Sequence, residues 1–177
     1  EGYSLTELTT DEQLPEASFL LPLASGFRPR DLSDAILKHG SPFWVDYGRQ
    51  LKGLEEDRVA GFLTGSIDLV YCHQQKWGMV DYKSNHLGEQ REDYGDDAML
   101  SVMTSHHYLL QGLIYSVALL RMIRRRDPKS DPFEAFGGAR FLFIRGADQP
   151  GYGVFQLPTE RALLLALDRC FAGVTTP

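Results

Sequence analysis

The sequence predicts an α/β fold with a mixed central sheet flanked by helices in three layers. Two β-branched and aromatic runs within residues 65–85 enclose a polar segment, which is the pattern of a β-hairpin. Apolar residues then recur at helical intervals from Met99 to Ile123. A further strand-like run follows at 140–145, so strands and helices are interleaved along the chain.

Before the hairpin, the sequence predicts few regular elements. In order, they are a frayed or loosely docked segment through Pro15, a short strand over 18–23 that ends at Pro22, a helix over 31–39, and an irregular stretch over 41–60 containing the solvated loop 55–58. Asp31 is the expected N-cap of the helix and Gly40 its expected stop. His39 is therefore expected to be a helix-end residue and not a ligand.

The hairpin is expected to bring two carboxylates together. If its turn is centred between Gln74 and Gln75, antiparallel pairing places Asp68 opposite Asp81. Their Cβ atoms would then be roughly 4.5–5.5 Å apart. Like charges at this separation destabilise a sheet, so the pair is expected to have a compensating cation.

Side-chain alternation adds an ammonium group to the same patch. Lys83 shares a face with Asp81, whereas Val80 and Tyr82 are expected to point the other way, into a core. Magnesium typically takes one or two carboxylates together with waters and phosphate oxygens, so the patch suits a metal site. From spacing alone, an accidental cluster of common charged residues stays open as the alternative.

Beyond the hairpin, the chain is expected to alternate between helices and strands. The expected elements are one long or two consecutive helices over 99–123, a break at 127–132, strands over 140–145 and 152–157, and a final helix. This final helix is expected to begin at Thr159 and Glu160, to run through Phe171 and to end near Gly173, with Leu163, Leu164 and Leu167 buried. The basic cluster of Arg121, Arg124, Arg125 and Arg126 is expected to be a solvated helix C-terminus, with DNA contact as the alternative.

Three motifs in order resemble the RecB family, a branch of the PD-(D/E)XK nucleases. They are Gly65-x-x-Asp68, Asp81-Tyr82-Lys83-Ser84-Asn85 and Gln111-x-x-x-Tyr115. Further segments similar to that family are 61–70, 85–88, His106-x-Tyr108, 136–138, 141–146 and, more weakly, Glu16-x-x-Phe19-x-x-Pro22. The resemblance covers most of the chain from Gly61 onward and implies a PD-(D/E)XK restriction-endonuclease-like core.

The resemblance also implies roles for individual residues. Asp68, Asp81 and the backbone carbonyl of Tyr82 would hold Mg²⁺, for which Mn²⁺ can substitute, and Lys83 would orient or activate the attacking water. The remaining implied roles are strand-end stabilisation by Ser84 and Asn85, and orientation of a phosphate or catalytic side chain by Gln111 and Tyr115. His106 and His107, adjacent on a predicted helix, cannot face the same point, so they are expected to be structural or phosphate-adjacent and not a metal pair. With this ligand set, the implied activity is metal-dependent cleavage of DNA.

A module of this kind is expected to work inside a RecBCD-type helicase-nuclease in bacterial double-strand-break repair and recombination. The implied partners are DNA, the rest of a RecB chain, the RecC and RecD subunits and the recombinase RecA. The alternative is a catalytically weak or silent nuclease-like scaffold that docks helicase subunits or loads a recombinase. The intact set of Asp68, Asp81 and Lys83 favours the enzyme, because a pure scaffold has no need of clustered charges.

One departure from the family concerns a further metal ligand. RecB-type domains supply a histidine on a helix ahead of the first strand, and nothing upstream of Ser18 offers it. The chain is therefore expected to be an N-terminally truncated fragment of a larger protein. On its own it is expected to fold, to bind metal weakly and to cleave poorly.

Composition excludes several other classes. The 177 residues, 43% hydrophobic, suit one domain over 1–177, and no apolar run approaches the ~20 residues that span a bilayer. Cys72 and Cys170 lack CxxC spacing, which argues against zinc and disulfides and favours a reduced cytoplasmic protein. The net charge of −6 argues against DNA binding by bulk electrostatics, although a nuclease supplied with DNA by a neighbouring motor does not need it.

Overall fold

A computed structural model describes residues 4–53, 59–148 and 151–173. The strands are β1 (Gln13–Phe27), β2 (Val59–His73), β3 (Lys76–Lys83), β4 (Phe136–Phe143) and β5 (Val154–Gln156). The helices are α1 (Pro29–His39), α2 (Val45–Leu51), α3 (Asp96–Ser105), α4 (Tyr108–Arg126) and α5 (Arg161–Ala172).

The strands form one mixed sheet in the order β1-β2-β3-β4-β5. Strands β3 and β4 run parallel, whereas β2 with β3 and β4 with β5 are antiparallel. The predicted α/β class with a mixed sheet flanked by helices is confirmed, and it agrees with a PD-(D/E)XK-like core.

The chain divides into two compact units, one of residues 1–18 and 66–158 and one of 19–65 and 159–177. The first unit contains the hairpin and the helices α3 and α4, and the second contains α1, α2 and α5. The single domain expected from the chain length stays a prediction.

The hairpin of the first unit has the predicted register. Leu69 lies opposite Val80 and His73 opposite Lys76, so the turn is centred between residues 74 and 75. Gln74 and Gln75 both have positive φ, 49° and 64°, as a two-residue turn that matches the strand twist requires. The register prediction is therefore confirmed.

One face of the hairpin is covered by a small apolar cluster of Leu8, Leu69, Tyr71 and Val80. The inward orientation of Val80 is confirmed, but the prediction for Tyr82 was wrong, because this residue is 43% exposed. Tyr82 lies two residues farther along β3 than Val80, at the strand end. The apolar cover does not bury it.

The N-terminal segment differs from the expectation of a loosely docked tail. Short 3-10 helices occupy Leu5–Glu7 and Thr10–Glu12, and between them Leu8 is buried. Strand β1 begins at Gln13 and continues to Phe27, well beyond the short strand predicted over 18–23. Pro22 does not end it, since β1 is an edge strand and an edge strand tolerates a missing N–H donor.

Helices α3 and α4 settle the alternative left open for the region 99–123 in favour of two consecutive helices. His106 and His107 lie between them, so placing both on a helix was wrong, and His107 adopts a left-handed conformation (φ 56°). Helix α4 packs closely on β4 at Gly112, where an added Cβ would lie 2.8 Å from Phe141 Cε2 and from Leu157 Cδ2. The absence of a side chain at position 112 sets this close approach.

The basic cluster lies where the sequence predicted it. Arg124, Arg125 and Arg126 occupy the last turn of α4, where cations favour the helix dipole. The guanidinium of Arg126 lies 4.7 Å from the ring centroid of Trp77. Strand β4 begins at Phe136, four residues before the predicted start, because Gly137 and Gly138 obscured the strand pattern.

In the second unit, α1 ends at His39 with Gly40 as its C-cap, as predicted. The predicted N-cap was one turn too late. Arg28 is the N-cap residue, and its N–H donates to the Asp31 carboxylate (3.0 Å) from within the first turn.

Helix α2 was missed, because seven residues give too few helical repeats to show a periodicity. It buries Tyr47 and Leu51 in a stretch predicted to be irregular. The predicted loop over 55–58 lies outside the described residues. Helix α5 is confirmed, with Gly173 as its C-cap (φ 71°) and three buried leucines at the predicted positions, Leu163, Leu164 and Leu167.

Cys72 and Cys170 are free thiols. Among the described residues, no helix has the length and apolar character needed to cross a membrane.

Candidate active site

Asp68 and Asp81 occupy the end of the β2–β3 pair, one residue beyond the Leu69–Val80 partners. Alternation turns both side chains to the sheet face opposite the Leu8 cluster. The Oδ2 atom of Asp68 accepts a hydrogen bond from the backbone N–H of Tyr82 (2.7 Å). Asp81 is only 4% exposed, so its charge is held largely out of water.

Lys83 joins this pair from two residues farther along β3. It is 7% exposed, and its ammonium forms an ion pair with Asp81 Oδ1. The ammonium also donates to Gln111 Oε1 of α4 (2.8 Å). A lysine this deeply buried requires such partners, because an isolated ammonium would be strongly destabilising there.

Gln111 connects the lysine to a phenol on the same helix. Its Nε2 donates to Tyr115 Oη (2.8 Å), one helical turn away. Burial raises the pKa of Tyr115, and the nearby charges of Asp81 and Asp68 raise it further. The structure thus brings Gln111 and Tyr115 to the sheet-facing side of α4, next to Lys83.

The protonation of Asp81 is strongly perturbed. Burial raises its pKa from 3.8 to about 6, the Lys83 ammonium opposes this rise, and the neighbouring Asp68 carboxylate adds to it. Two carboxylates and one ammonium leave an excess negative charge around the buried Asp81 carboxylate. Such a site favours either a proton or a cation on Asp81.

The donor set suits a hard divalent cation. Asp81 Oδ1 is buried and, apart from its ion pair with Lys83, accepts no hydrogen bond of ordinary geometry from the described residues. Carboxylate oxygens are the ligands that Mg²⁺ and Mn²⁺ prefer. Within the described ranges no group of three or more His, Cys, Asp or Glu residues could hold a metal.

The sequence comparisons agree with this geometry. The chain is 35% identical to the RecBCD enzyme subunit RecB of Escherichia coli (strain K12) over 176 residues, and this alignment covers 98% of the chain and 14% of the E. coli protein. It is 33% identical over 171 residues to the same subunit of Haemophilus influenzae, in an alignment that covers 96% of this chain and 14% of the relative. It is 34% identical over 186 residues to that of Mycobacterium tuberculosis, where the alignment covers 93% of this chain and 17% of the relative. This chain belongs to the RecB family.

The family resemblance predicted from the motifs is thereby confirmed. No protein-family model matches the chain. The chain spans 14–17% of the length of the RecB proteins just named, so it corresponds to one portion of a RecB protein.

Sequence reasoning gave no role to a third carboxylate of this RecB-type chain. Glu16 Oε2 accepts a hydrogen bond from Ser66 Oγ (3.1 Å), and Ser66 precedes Asp68 by two residues on β2 and so faces the same side. Glu16 has a positive φ of 50°, which is uncommon for a non-glycine residue. The signal was present in the weakly matching motif Glu16-x-x-Phe19-x-x-Pro22.

Sequence reasoning also missed Tyr108, the first residue of α4. Its ring centroid lies 3.7 Å from the Lys83 ammonium nitrogen. Its hydroxyl donates to Asn85 Oδ1 (3.4 Å), directly beyond the strand end. The motif His106-x-Tyr108 marked it as a RecB-like position, but helical spacing alone could not place it against the lysine.

Proposed function

We propose that this chain hydrolyses DNA phosphodiester bonds with a divalent metal, as the nuclease module of a RecBCD-type helicase-nuclease in double-strand-break repair and recombination. The observation that carries the proposal is the cluster of Asp68, Asp81 and Lys83 on one sheet face, in which Asp81 and Lys83 are buried and form an ion pair. Its relatives are RecBCD enzyme subunit RecB proteins, which supports the proposed place in a RecBCD-type enzyme.

Asp68 and Asp81, with the backbone carbonyl of Tyr82, would hold Mg²⁺ or Mn²⁺. When bound, such an ion polarises the scissile phosphate and lowers the pKa of a water molecule beside it. The protein's part is to keep two carboxylates facing each other, which it does through the hairpin register and the hydrogen bond from Tyr82 to Asp68.

Lys83 places a positive charge beside the carboxylate pair. In the proposed reaction it orients the attacking water and offsets negative charge that develops on the phosphoryl oxygens. Gln111 limits the freedom of the ammonium by accepting one of its three N–H groups. Tyr115 fixes the Gln111 amide in turn, since it accepts from the other end of that group.

Asp81 must lose its proton to act as a ligand. Because its pKa is raised to about 6, protons and metal compete for this carboxylate near neutral pH. Activity is therefore proposed to require a pH above about 6.

The proposed partners are DNA, the remainder of a RecB chain, RecC, RecD and RecA, in the bacterial cytoplasm. With a net charge of −6, the chain is a poor non-specific DNA binder, so we infer that a motor delivers the strand. The proposal places the chemistry in this chain and the affinity for DNA elsewhere.

The test uses the natural full-length protein carrying Asp81→Ala or Lys83→Ala. Each change is expected to lower DNA cleavage at least about 100-fold, because each removes a charge that acts on the reacting phosphate. Lys76→Ala is the matched control, since Lys76 is an exposed lysine at the opposite end of β3 and its loss should leave cleavage unchanged. Full cleavage by both active-site variants would instead support the scaffold alternative.

A further inference from the structure

Among the described residues, the Lys83 ammonium lies near two oxygen-bearing side chains and two aromatic rings. Asp81 and Gln111 supply oxygen atoms. The nearer ring is that of Tyr108, whose centroid lies 3.7 Å from the nitrogen, whereas the centroid of the Phe141 ring lies 5.3 Å away. An ammonium at this distance is attracted by the negative face of the ring.

The Tyr108 ring is itself held in place. The His106 ring stacks with it at 5.3 Å and 17°, and the Phe141 ring of β4 lies nearly parallel to it at 6.5 Å and 15°. The Tyr108 hydroxyl donates to Asn85. Because His106, Phe141 and Asn85 all contact Tyr108, its ring has little freedom to move, and it presents a fixed surface to the flexible side chain of Lys83.

Lys83 needs such a surface because its four-carbon stem has several accessible rotamers. Its two oxygen partners lie on different elements, Asp81 on β3 and Gln111 on α4. A bound metal would draw on the Asp81 carboxylate and so weaken one of these two contacts. The ring contact does not depend on that carboxylate.

We propose that Tyr108 is a positioning residue whose ring face holds the Lys83 ammonium against the Asp68–Asp81 pair. This inference rests on the proposed function and deepens it. The hydroxyl of Tyr108 is secondary, and the electron-rich ring is the functional part.

The experiment replaces Tyr108 in the natural full-length protein by phenylalanine and by phenylalanines carrying one, two or three ring fluorines. Fluorine weakens the negative ring face with little change of shape, so packing is preserved while cation binding declines. Tyr108→Phe should stay within about 2-fold of the natural protein. The single-turnover cleavage rate at saturating DNA and Mg²⁺ should then fall with each added fluorine. Tyr108→Leu, which has no ring, should show the largest loss, about 2- to 30-fold, and KM for DNA should not change in any variant.

A second readout does not depend on cleavage. Mass spectrometry measures how fast an amine-reactive acetylating reagent modifies Lys83, and Tyr108→Leu should be modified several-fold faster, whereas Tyr108→Phe should match the natural protein. A cleavage rate that is flat across the fluorine series would overturn the positioning role while leaving the nuclease proposal standing. If the natural protein does not cleave DNA, the nuclease proposal fails, and unchanged modification of Lys83 in Tyr108→Leu would then overturn the ring contact as well.

Discussion

The charge of Asp81 is expected to make the fold less stable as the pH rises from about 4 to about 6. Burial raises the pKa of this carboxyl from 3.8 to about 6. Between these values the folded chain keeps a proton that the unfolded chain has lost, so folding takes up a proton and a higher pH opposes it. Above about pH 6 both states are ionised and this contribution becomes constant.

The size of the effect follows from the shift. Two pKa units, at about 1.4 kcal/mol each, give an upper bound of about 3 kcal/mol. The neighbouring Asp68 is only half-buried, so solvent on its side screens part of the charge, and we expect about 2 kcal/mol to be measured. This is a large share of the stability of a typical small domain.

The assay is urea denaturation of this chain and of Asp81→Asn at pH 4, 5, 6 and 7 in the presence of a chelator. Other acidic groups also titrate, so the informative quantity is the free energy of unfolding of the natural chain minus that of the variant. This difference should fall by about 2 kcal/mol between pH 4 and pH 7. Asp46→Asn is the control, because the Asp46 side chain is 95% exposed. The free energy of unfolding of the natural chain minus that of Asp46→Asn should not change by a comparable amount between pH 4 and pH 7. An Asp81 difference that is the same at every pH would refute the reasoning.

Two further predictions concern metal binding and packing. Calorimetric titration of this chain with Mg²⁺ or Mn²⁺ at pH 7.5 should show weak binding, because among the described residues no third His, Cys, Asp or Glu joins Asp68 and Asp81 in a metal-binding group. Tight binding would contradict this expectation. Gly112→Ala should lower the free energy of unfolding by about 1–3 kcal/mol in urea denaturation, because its Cβ would overlap Phe141 and Leu157. Gly53→Ala is the control, since its Cβ would meet only the Gln50 carbonyl oxygen at 3.6 Å, and equal stability of the two variants would show that α4 can shift at no cost.

The parts of the site that the sequence could predict are those set by local geometry. The hairpin register follows from a two-residue polar turn, and the register fixes that Asp68, Asp81 and Lys83 share a face. The pairing of Gln111 with Tyr115 follows from a spacing of four on a helix. Each of these depends only on residues near in sequence or paired across one turn.

The parts that could not be predicted depend on contacts between distant segments. Burial of Leu8 requires the hairpin face that it covers, and the full length of β1 requires an edge position that tolerates Pro22. The contact of Tyr108 with Lys83 requires the packing of α4 on the sheet, which no periodicity specifies. The exposure of Tyr82 likewise depends on where the covering segment stops.

Gly112 determines how closely helix α4 packs on the sheet beside the candidate active site. Its neighbour Gln111 accepts a hydrogen bond from Lys83, and α4 packs so closely on β4 that a methyl group at position 112 would overlap Phe141. Lifting the helix by the width of a methyl group would stretch a contact of 2.8 Å past hydrogen-bond length. The geometry of the proposed reaction centre thus depends partly on a residue that has no side chain and no role in the proposed chemistry.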